Sequence, residues 1–165
     1  MKLKLANLAV IALLAAGLGA CAGSVSAPTT VQALTIDKSA VHITDISADA
    51  DGKVEMSDGD FGVIAQKVRA YIQTQTPGVL VDQGGLKMQI HFTRFDRGNA
   101  FARAMLMGLG QIVIEADVSL IDSSGKTVGV YKVSKDFALG GLAGATTTVD
   151  DVEDGFAKSV AAIIK

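Results

Sequence analysis

Apolar and polar residues alternate along three stretches of the chain, as they do in strands that bury one face. The stretches are residues 41–47, 86–95 and 111–121, and the third has the most regular alternation. A turn sequence at residues 122–126 connects the third stretch to residues 127–137, so we predict an antiparallel hairpin there. Together these stretches predict a sheet of four to five strands.

Two other segments place apolar residues three and four positions apart, which predicts amphipathic helices. The first is capped by Asp58 or Asp60 and ends near Gln75, and its apolar face consists of Phe61, Ile64, Val68 and Ile72. The second covers about residues 149–164, begins with a capping box of Thr148 and Asp151, and has an apolar face of Val149, Val152, Phe156, Val160 and Ile163. We therefore predict a single α+β domain, with two amphipathic helices packed on one face of a mainly antiparallel four- to five-stranded sheet.

The N-terminal segment has the pattern of a secretory signal. Lys2 and Lys4 precede an unbroken apolar run at residues 8–18, and no acidic residue occurs among the first twenty. The run is too short to cross a bilayer, which requires about 20 apolar residues. An ordinary secretory signal is one interpretation, because Ala16 and Ala20 also suit the common cleavage site.

The residues at the end of this segment favour a more specific interpretation. Leu18, Gly19 and Ala20 directly precede Cys21, which is the only cysteine of the chain. This sequence resembles the bacterial lipobox, at which a signal peptidase removes residues 1–20 and the new N-terminal cysteine carries lipid. Residues 21–35 would then be the lipidated cysteine and a flexible tether, and residues 36–165 the globular domain.

The expected membrane location follows from the residue after the same motif. In lipoproteins of this kind an aspartate after the cysteine favours the inner membrane, and this chain has Ala22 instead. We therefore expect a protein held in the cell envelope by its lipid, at the outer membrane and facing the periplasm.

Charge and cysteine usage exclude several classes of function. Without residues 1–20, 13 basic side chains face 17 acidic ones, a net charge of −4. Nucleic-acid binding is not expected from this balance, since it requires a basic surface. With Cys21 lipidated, no thiol remains for a disulfide, a cysteine nucleophile or a thiolate metal site.

The chain from Gly98 onward resembles a family of small Gram-negative lipoproteins that contain a domain of unknown function. The residues that carry the resemblance are Gly98, Asn99, Arg103, Gly108, Gly110, Asp122, Gly125, Gly140, Gly141 and Gly144. It covers roughly the C-terminal half of the chain, and the lipobox adds to it. The resemblance implies an envelope lipoprotein with an α+β domain, and it implies no reaction, substrate or catalytic residue.

Residues 98–110 are too apolar for a plain loop. Together with residues 92–97 just before them, they are rich in arginine, methionine and phenylalanine. One interpretation is a buried crossover in which carbonyl groups or a carboxylate bind Arg103. The other is a docking surface for a partner protein or for the membrane interface, because these residue types are enriched at interfaces. The candidate surface consists of Arg97, Asn99, Phe101, Arg103, Met105 and Met107.

An acidic stretch offers a calcium-loop hypothesis. Asp49, Asp51, Glu55 and Asp58 match several positions of such a loop, but Ser47 and Asp58 occupy positions where Asp and Glu are expected. A solvated loop that ends in a helix cap explains these acids more simply. No cofactor other than the covalent lipid is predicted.

The remaining chemistry-bearing residues lack the spacing of a known site. His42 and His91 lie in strand patterns without a third zinc ligand nearby, so we expect surface or cross-strand histidines. The glycines at residues 108–110 and 140–144 lack the other residues of a dinucleotide or phosphate loop, and no GxSxG motif occurs.

These observations predict a membrane-anchored envelope lipoprotein that is not an enzyme and has a structural or protein-interaction role, with an envelope protein as its partner. A carrier or sensor of a small apolar ligand or lipid, bound between the helices and the sheet, is the alternative. A hydrolase assembled from scattered Asp, Glu, His and Ser residues is a third hypothesis.

Overall fold

The computed structural model describes residues 25–106, 109–137 and 145–165. The elements along the chain are β1 (Thr29–Gln32), β2 (Ile43–Ala50), α1 (Asp58–Gln75), β3 (Leu86–Asp96), α2 (Ala100–Met105), β4 (Ile112–Ile121), β5 (Thr127–Phe137) and α3 (Val149–Ala161). Short 3₁₀ turns occur at Lys38–Ala40 and Ala162–Ile164. The signal segment with Leu18, Gly19, Ala20 and Cys21 lies outside the described residues, as do Met107, Gly108, Gly140, Gly141 and Gly144.

The strands form one sheet in the order β1–β5–β4–β3–β2. Neighbouring strands are antiparallel except β2 and β3, which run parallel. A parallel pair needs a long crossover, and α1 provides it here. The predicted hairpin is confirmed, since β4 and β5 pair from Ile112 opposite Phe137 to Ile121 opposite Thr127.

One face of the sheet is covered by α1 and α3, which confirms the predicted α+β arrangement. The inward residues of β3 and β4 alternate as expected, and Ile90, Phe92 and Val118 are fully buried. Phe92 lies between two helix residues, with its ring centroid 6.1 Å from Phe61 and 5.5 Å from Phe156. In the described part of the chain, side chains therefore fill the space in which an apolar ligand was hypothesised.

The helix starts differ in how well they could be predicted. The capping box of Thr148 and Asp151 is confirmed, with each side chain bonding the other residue's backbone. For α1, the prediction of Asp58 or Asp60 as the cap was wrong. Ser57 is the cap, and Asp60 is the third helical residue and bonds back to the Ser57 amide at 2.8 Å. Both acids lie in the first turn, where the helix dipole favours negative charge.

The segment predicted as a flexible tether is partly a strand. Residues Thr29–Gln32 form β1 and pair antiparallel with β5, with Thr29 opposite Lys132. Upstream, the Ser26 amide donates to Ser159 Oγ on α3 at 2.7 Å. Without β1 the edge of β5 would present unpaired backbone groups, and the β-branched residues of β1 suit that position. Among the described residues, the helices are too short or too polar to cross a bilayer.

Candidate functional site

The segment between β3 and β4 exposes four large apolar side chains. Phe101 is 75% exposed and Met105 68%, while Leu106 and Leu109 are each 55% exposed. We call these four residues the apolar tip. The other exposed large apolar residues of the described chain are spread over β1, α1 and the N-terminal segment. Isolated exposed apolar residues need no explanation, whereas a group of four within nine residues is a candidate contact surface.

Helix α2 separates the exposed residues from the buried ones. Phe101 and Met105 are four positions apart and share one side of the helix. Arg103 lies between them in sequence and is only 3% exposed. Asn99 begins the helix by accepting a hydrogen bond from the Ala102 amide at 3.0 Å.

Arg103 is buried beneath the tip and binds backbone carbonyl groups on two sides. Its guanidinium donates to the Gly110 carbonyl at 2.8 Å and to the Thr147 carbonyl at 3.1 Å. These bonds join α2 to the end of the segment at Gly110 and to Thr147, the residue before the cap of α3. The expectation that Arg103 belongs to the contact surface was therefore wrong, while the interpretation in which carbonyl groups bind it is confirmed. The long charged side chain can be buried in an apolar segment because the guanidinium has five N–H donors and carbonyl groups accept from them.

Two other predicted surface residues also have structural partners. Arg97 forms an ion pair with Asp60 at 2.7 Å, and its guanidinium lies 4.9 Å from the centre of the Phe95 ring. Asn99 is the cap of α2, and Met107 lies outside the described residues. Of the six residues predicted for this surface, the structure thus places Phe101 and Met105 where a partner could reach their apolar groups.

The acidic stretch is distributed in a way that does not form a calcium loop. Asp49 and Asp51 both contact His91, while Asp58 lies in the first turn of α1. Among the described residues, no three His, Asp, Glu or Cys side chains are placed to share a metal ion. The calcium hypothesis for Asp49, Asp51, Glu55 and Asp58 therefore finds no support in their arrangement.

His91 forms a polar cluster with the two aspartates on the open face of the sheet. Its Nδ1 lies 2.5 Å from Asp49 Oδ1, and its Nε2 lies 3.1 Å from Asp51 Oδ1. The Asp49 hydrogen bond is the main reason that the pKa of His91 is raised above its ordinary value. Partial burial acts to raise the pKa of Asp49, but the hydrogen bonds from His91 and Gln89 outweigh it and lower that pKa.

The same cluster bears on the hydrolase hypothesis. Both ring nitrogens of His91 face carboxylates, and no hydroxyl of the described chain lies within hydrogen-bonding distance of them. A nucleophile activated by this histidine would need such a hydroxyl. The cluster is a cross-strand arrangement of the kind expected for a surface histidine.

The raised pKa of His91 predicts a pH-dependent stability. A group whose pKa is raised by folding stabilises the fold fully below its unfolded pKa of about 6.5, and this contribution is lost as pH rises through the folded pKa. We expect the free energy of unfolding to fall by a few tenths of a kcal/mol above about pH 6.5, because solvent screens the half-exposed groups. Urea unfolding of the protein and of His91→Gln over this range checks it.

A variant of Asp49 tests whether this residue is the partner that raises the pKa of His91. Asp49→Asn should remove most of the same pH-dependent step, and the double variant should add little to either single change. A step of unchanged size in both single variants would contradict this assignment.

A second cluster, between the two long helices, was missed by sequence reasoning. Lys67 Nζ on α1 lies 2.6 Å from Asp150, 2.9 Å from Asp154 and 3.5 Å from Glu153 on α3. Tyr71 donates to Asp154 at 3.1 Å. Partial burial would lower the pKa of Lys67, but the hydrogen bonds that its ammonium donates to Asp150 and Asp154 raise it on balance. Burial also raises the pKa of Glu153. The cluster joins the helices, and the acidic positions 150, 153 and 154 on one side of α3 were its only sequence signal.

Comparison with known proteins bears on the segment that contains the tip. Residues 64–141 match a protein family described as a domain of unknown function, DUF4410. The predicted resemblance to such a family is confirmed. The match includes the tip, Arg103, Gly98 and Gly110, whereas Thr147, whose carbonyl also accepts from Arg103, lies outside it. No curated protein matches this chain.

Solved structures show that the fold has relatives of low sequence identity. A variant of PelC from Paraburkholderia phytofirmans, a dodecamer, matches with a TM-score of 0.58 and 9% identity, covering 85% of this chain and 99% of that one. A second PelC dodecamer from the same organism matches with a TM-score of 0.56 and 10% identity, covering 82% and 96%. At these identities the likeness shows a common fold.

A candidate lipoprotein from Caulobacter crescentus CB15 is also similar, with 18% identity over 72% of this chain and 83% of that one. The TM-score of this match is 0.38.

Proposed function

We propose that this protein is a lipid-anchored component of the cell envelope that acts by binding rather than by catalysis. The lipobox at residues 18–21 supports the lipid attachment, and Ala22 supports the outer membrane. The apolar tip carries the binding part of the proposal. Its four side chains are exposed although the backbone beneath them is fixed by Arg103 and by the cap at Asn99.

The rigidity of the tip is what separates a binding surface from a frayed loop. A loop that is exposed only because it lacks contacts binds a partner weakly, because part of the binding free energy is used to order the loop. Here the bonds of Arg103 to Gly110 and Thr147 already hold α2 and Gly110 against the start of α3. A partner would therefore meet a preformed apolar group of aromatic, methionine and leucine side chains, the composition typical of interface centres.

A photo-crosslinking residue at position 101 tests this proposal in cells that make the full chain. We expect adducts of Phe101 with another envelope molecule, and none from the matched position Ile36, which is exposed but lies away from the tip. A Cys21→Ser chain in which an ordinary cleavable secretory signal replaces residues 1–20 should leave the membrane fraction and lose the adducts. Adducts confined to the chain itself, at both positions, would overturn the binding role of the tip.

The identity of the adduct distinguishes the forms that binding can take. PelC, which shares the fold, is a dodecamer, and self-association of this chain would give adducts at multiples of the mass of its mature, lipidated form. A different envelope protein would give one discrete heavier product. An adduct with phospholipid would identify the membrane surface itself.

A further inference from the structure

The N-terminal side of the described chain and the apolar tip lie towards the same end of the sheet. Strand β1 is antiparallel to β5, with Thr29 opposite Lys132 and Gln32 opposite Val130. At Thr29 the preceding chain therefore starts towards the end of β5 at Phe137, and the Ser26 amide is then bonded to Ser159 Oγ on α3. Phe137 pairs with Ile112, the residue at which the chain leaves the tip and enters β4.

Covalent geometry limits how far the lipid can be from the tip. Thr29 pairs with Lys132, which lies five residues before Phe137 in β5. The distance from Lys132 to Phe137 along the strand is about 17 Å, at about 3.4 Å per residue. Ser26 is bonded to Ser159 on α3, and Cys21 precedes Ser26 by five residues, which reach at most about 18 Å when fully extended. Thr148, next to the residue that binds Arg103, lies 11 residues before Ser159, which is about 16 Å along the helix at about 1.5 Å per residue. The lipidated residue can therefore come level with the end of the sheet at which the tip lies.

The composition around the tip suits a lipid surface. Phenylalanine, leucine and methionine side chains enter the boundary between headgroups and acyl chains when they are exposed on one side of a short helix. Lys53, Arg94 and Arg97 border a surface depression of about 480 Å³ beside the end of β3, where they could meet phosphate groups. The acidic residues Glu55 and Asp96 border the same depression, so the apolar contact provides the main attraction.

We propose, on the basis of the lipid anchorage proposed above, that the apolar tip inserts into the interface of the same membrane that holds Cys21. The acyl chains then hold the protein at the bilayer, and the tip determines how the domain is oriented on it. The sheet strands would point towards the membrane with the turn at residues 122–126 farthest from it. The open polar face of the sheet, with His91 and Lys132, would be left free beside the bilayer.

The chain has no tryptophan, which permits a direct test. Full-length lipidated protein carrying Phe101→Trp is placed in phosphatidylcholine and phosphatidylglycerol vesicles with brominated acyl chains, and Ile36→Trp is the matched control at the opposite end of the sheet. We expect bromine to reduce the fluorescence of the tryptophan at position 101 about twofold, since the interface is about 5–10 Å deep. The control should be unaffected. Met105→Trp repeats the test at a second exposed site.

The other outcomes each overturn a different statement. Flotation with the vesicles without quenching at positions 101 and 105 would overturn the insertion while leaving the lipid anchor intact. A blue-shifted but unquenched tryptophan would show that a protein, such as a second copy of the chain, covers the tip. Failure of the lipidated protein to float with vesicles would overturn the proposed anchorage itself.

Discussion

Replacing Arg103 by methionine is expected to lower the free energy of unfolding by about 2–4 kcal/mol. Methionine fills much of the same volume but donates no hydrogen bond, so the Gly110 and Thr147 carbonyl groups both lose the guanidinium donor, while Gly110 still accepts from the Asn99 amide at 3.1 Å. Hydrogen bonds to charged groups contribute about 1.5–3 kcal/mol each. Urea unfolding measures the loss, and amide hydrogen exchange should show faster opening between residues 99 and 111 than in β4.

Arg94→Met is the matched control for this substitution. Arg94 is about half exposed and its closest carboxylate oxygen, on Glu115, is 3.8 Å away. The control should change stability by less than about 0.5 kcal/mol, as exposed ion pairs contribute little. Equal effects of the two variants would show that Arg103 does not fix the segment as described.

A single methyl group at Gly98 is expected to destabilise the protein by about 2–5 kcal/mol. Gly98 has φ +64°, a conformation that costs other residues about 1–2 kcal/mol. Its added Cβ would also overlap with the backbone carbonyl oxygens of Gly110 and Gln111 and lie 2.7 Å from Arg103 Nη1. Backbone atoms cannot move aside without displacing the tip, so thermal or urea unfolding of Gly98→Ala should show the larger end of this range.

Gly125→Ala separates the cost of the positive φ from the cost of the steric overlap. Gly125 has φ +85° in the turn between β4 and β5, and an added Cβ there would meet no atom within 4 Å. This variant should lose only the conformational part, about 1–2 kcal/mol. If Gly98→Ala costs no more than Gly125→Ala, the close approach of residues 98 and 110 is not rigid.

The sequence predicts the elements of the fold because their signals are local. The alternation in β4 and the spacing of Ile64, Val68 and Ile72 in α1 depend only on neighbouring positions, and all of these side chains are buried as expected. The hairpin follows from a turn of five residues with a glycine. Strand β1 was missed because its four residues are all exposed and its partner lies about a hundred residues later.

The candidate site could be predicted only in part, because its geometry depends on contacts between distant residues. The segment around Phe101 was recognised from its composition, but composition does not show that Arg103 points inwards and Phe101 outwards. His91 meets Asp49 and Asp51 through the parallel pairing of β2 and β3, and no local pattern fixes that register. Lys67 meets Asp150 only because α1 and α3 lie side by side.

The short strand β1 also determines how the domain withstands mechanical load. A pull on the N-terminus along the strand direction would act on the β1–β5 hydrogen bonds together, in shear, rather than open them one after another as in peeling. The same pull would be shared with the bond between Ser26 and Ser159. Strand β1 would therefore bear tension from the proposed lipid attachment at the edge of the sheet, before that tension reaches the helices.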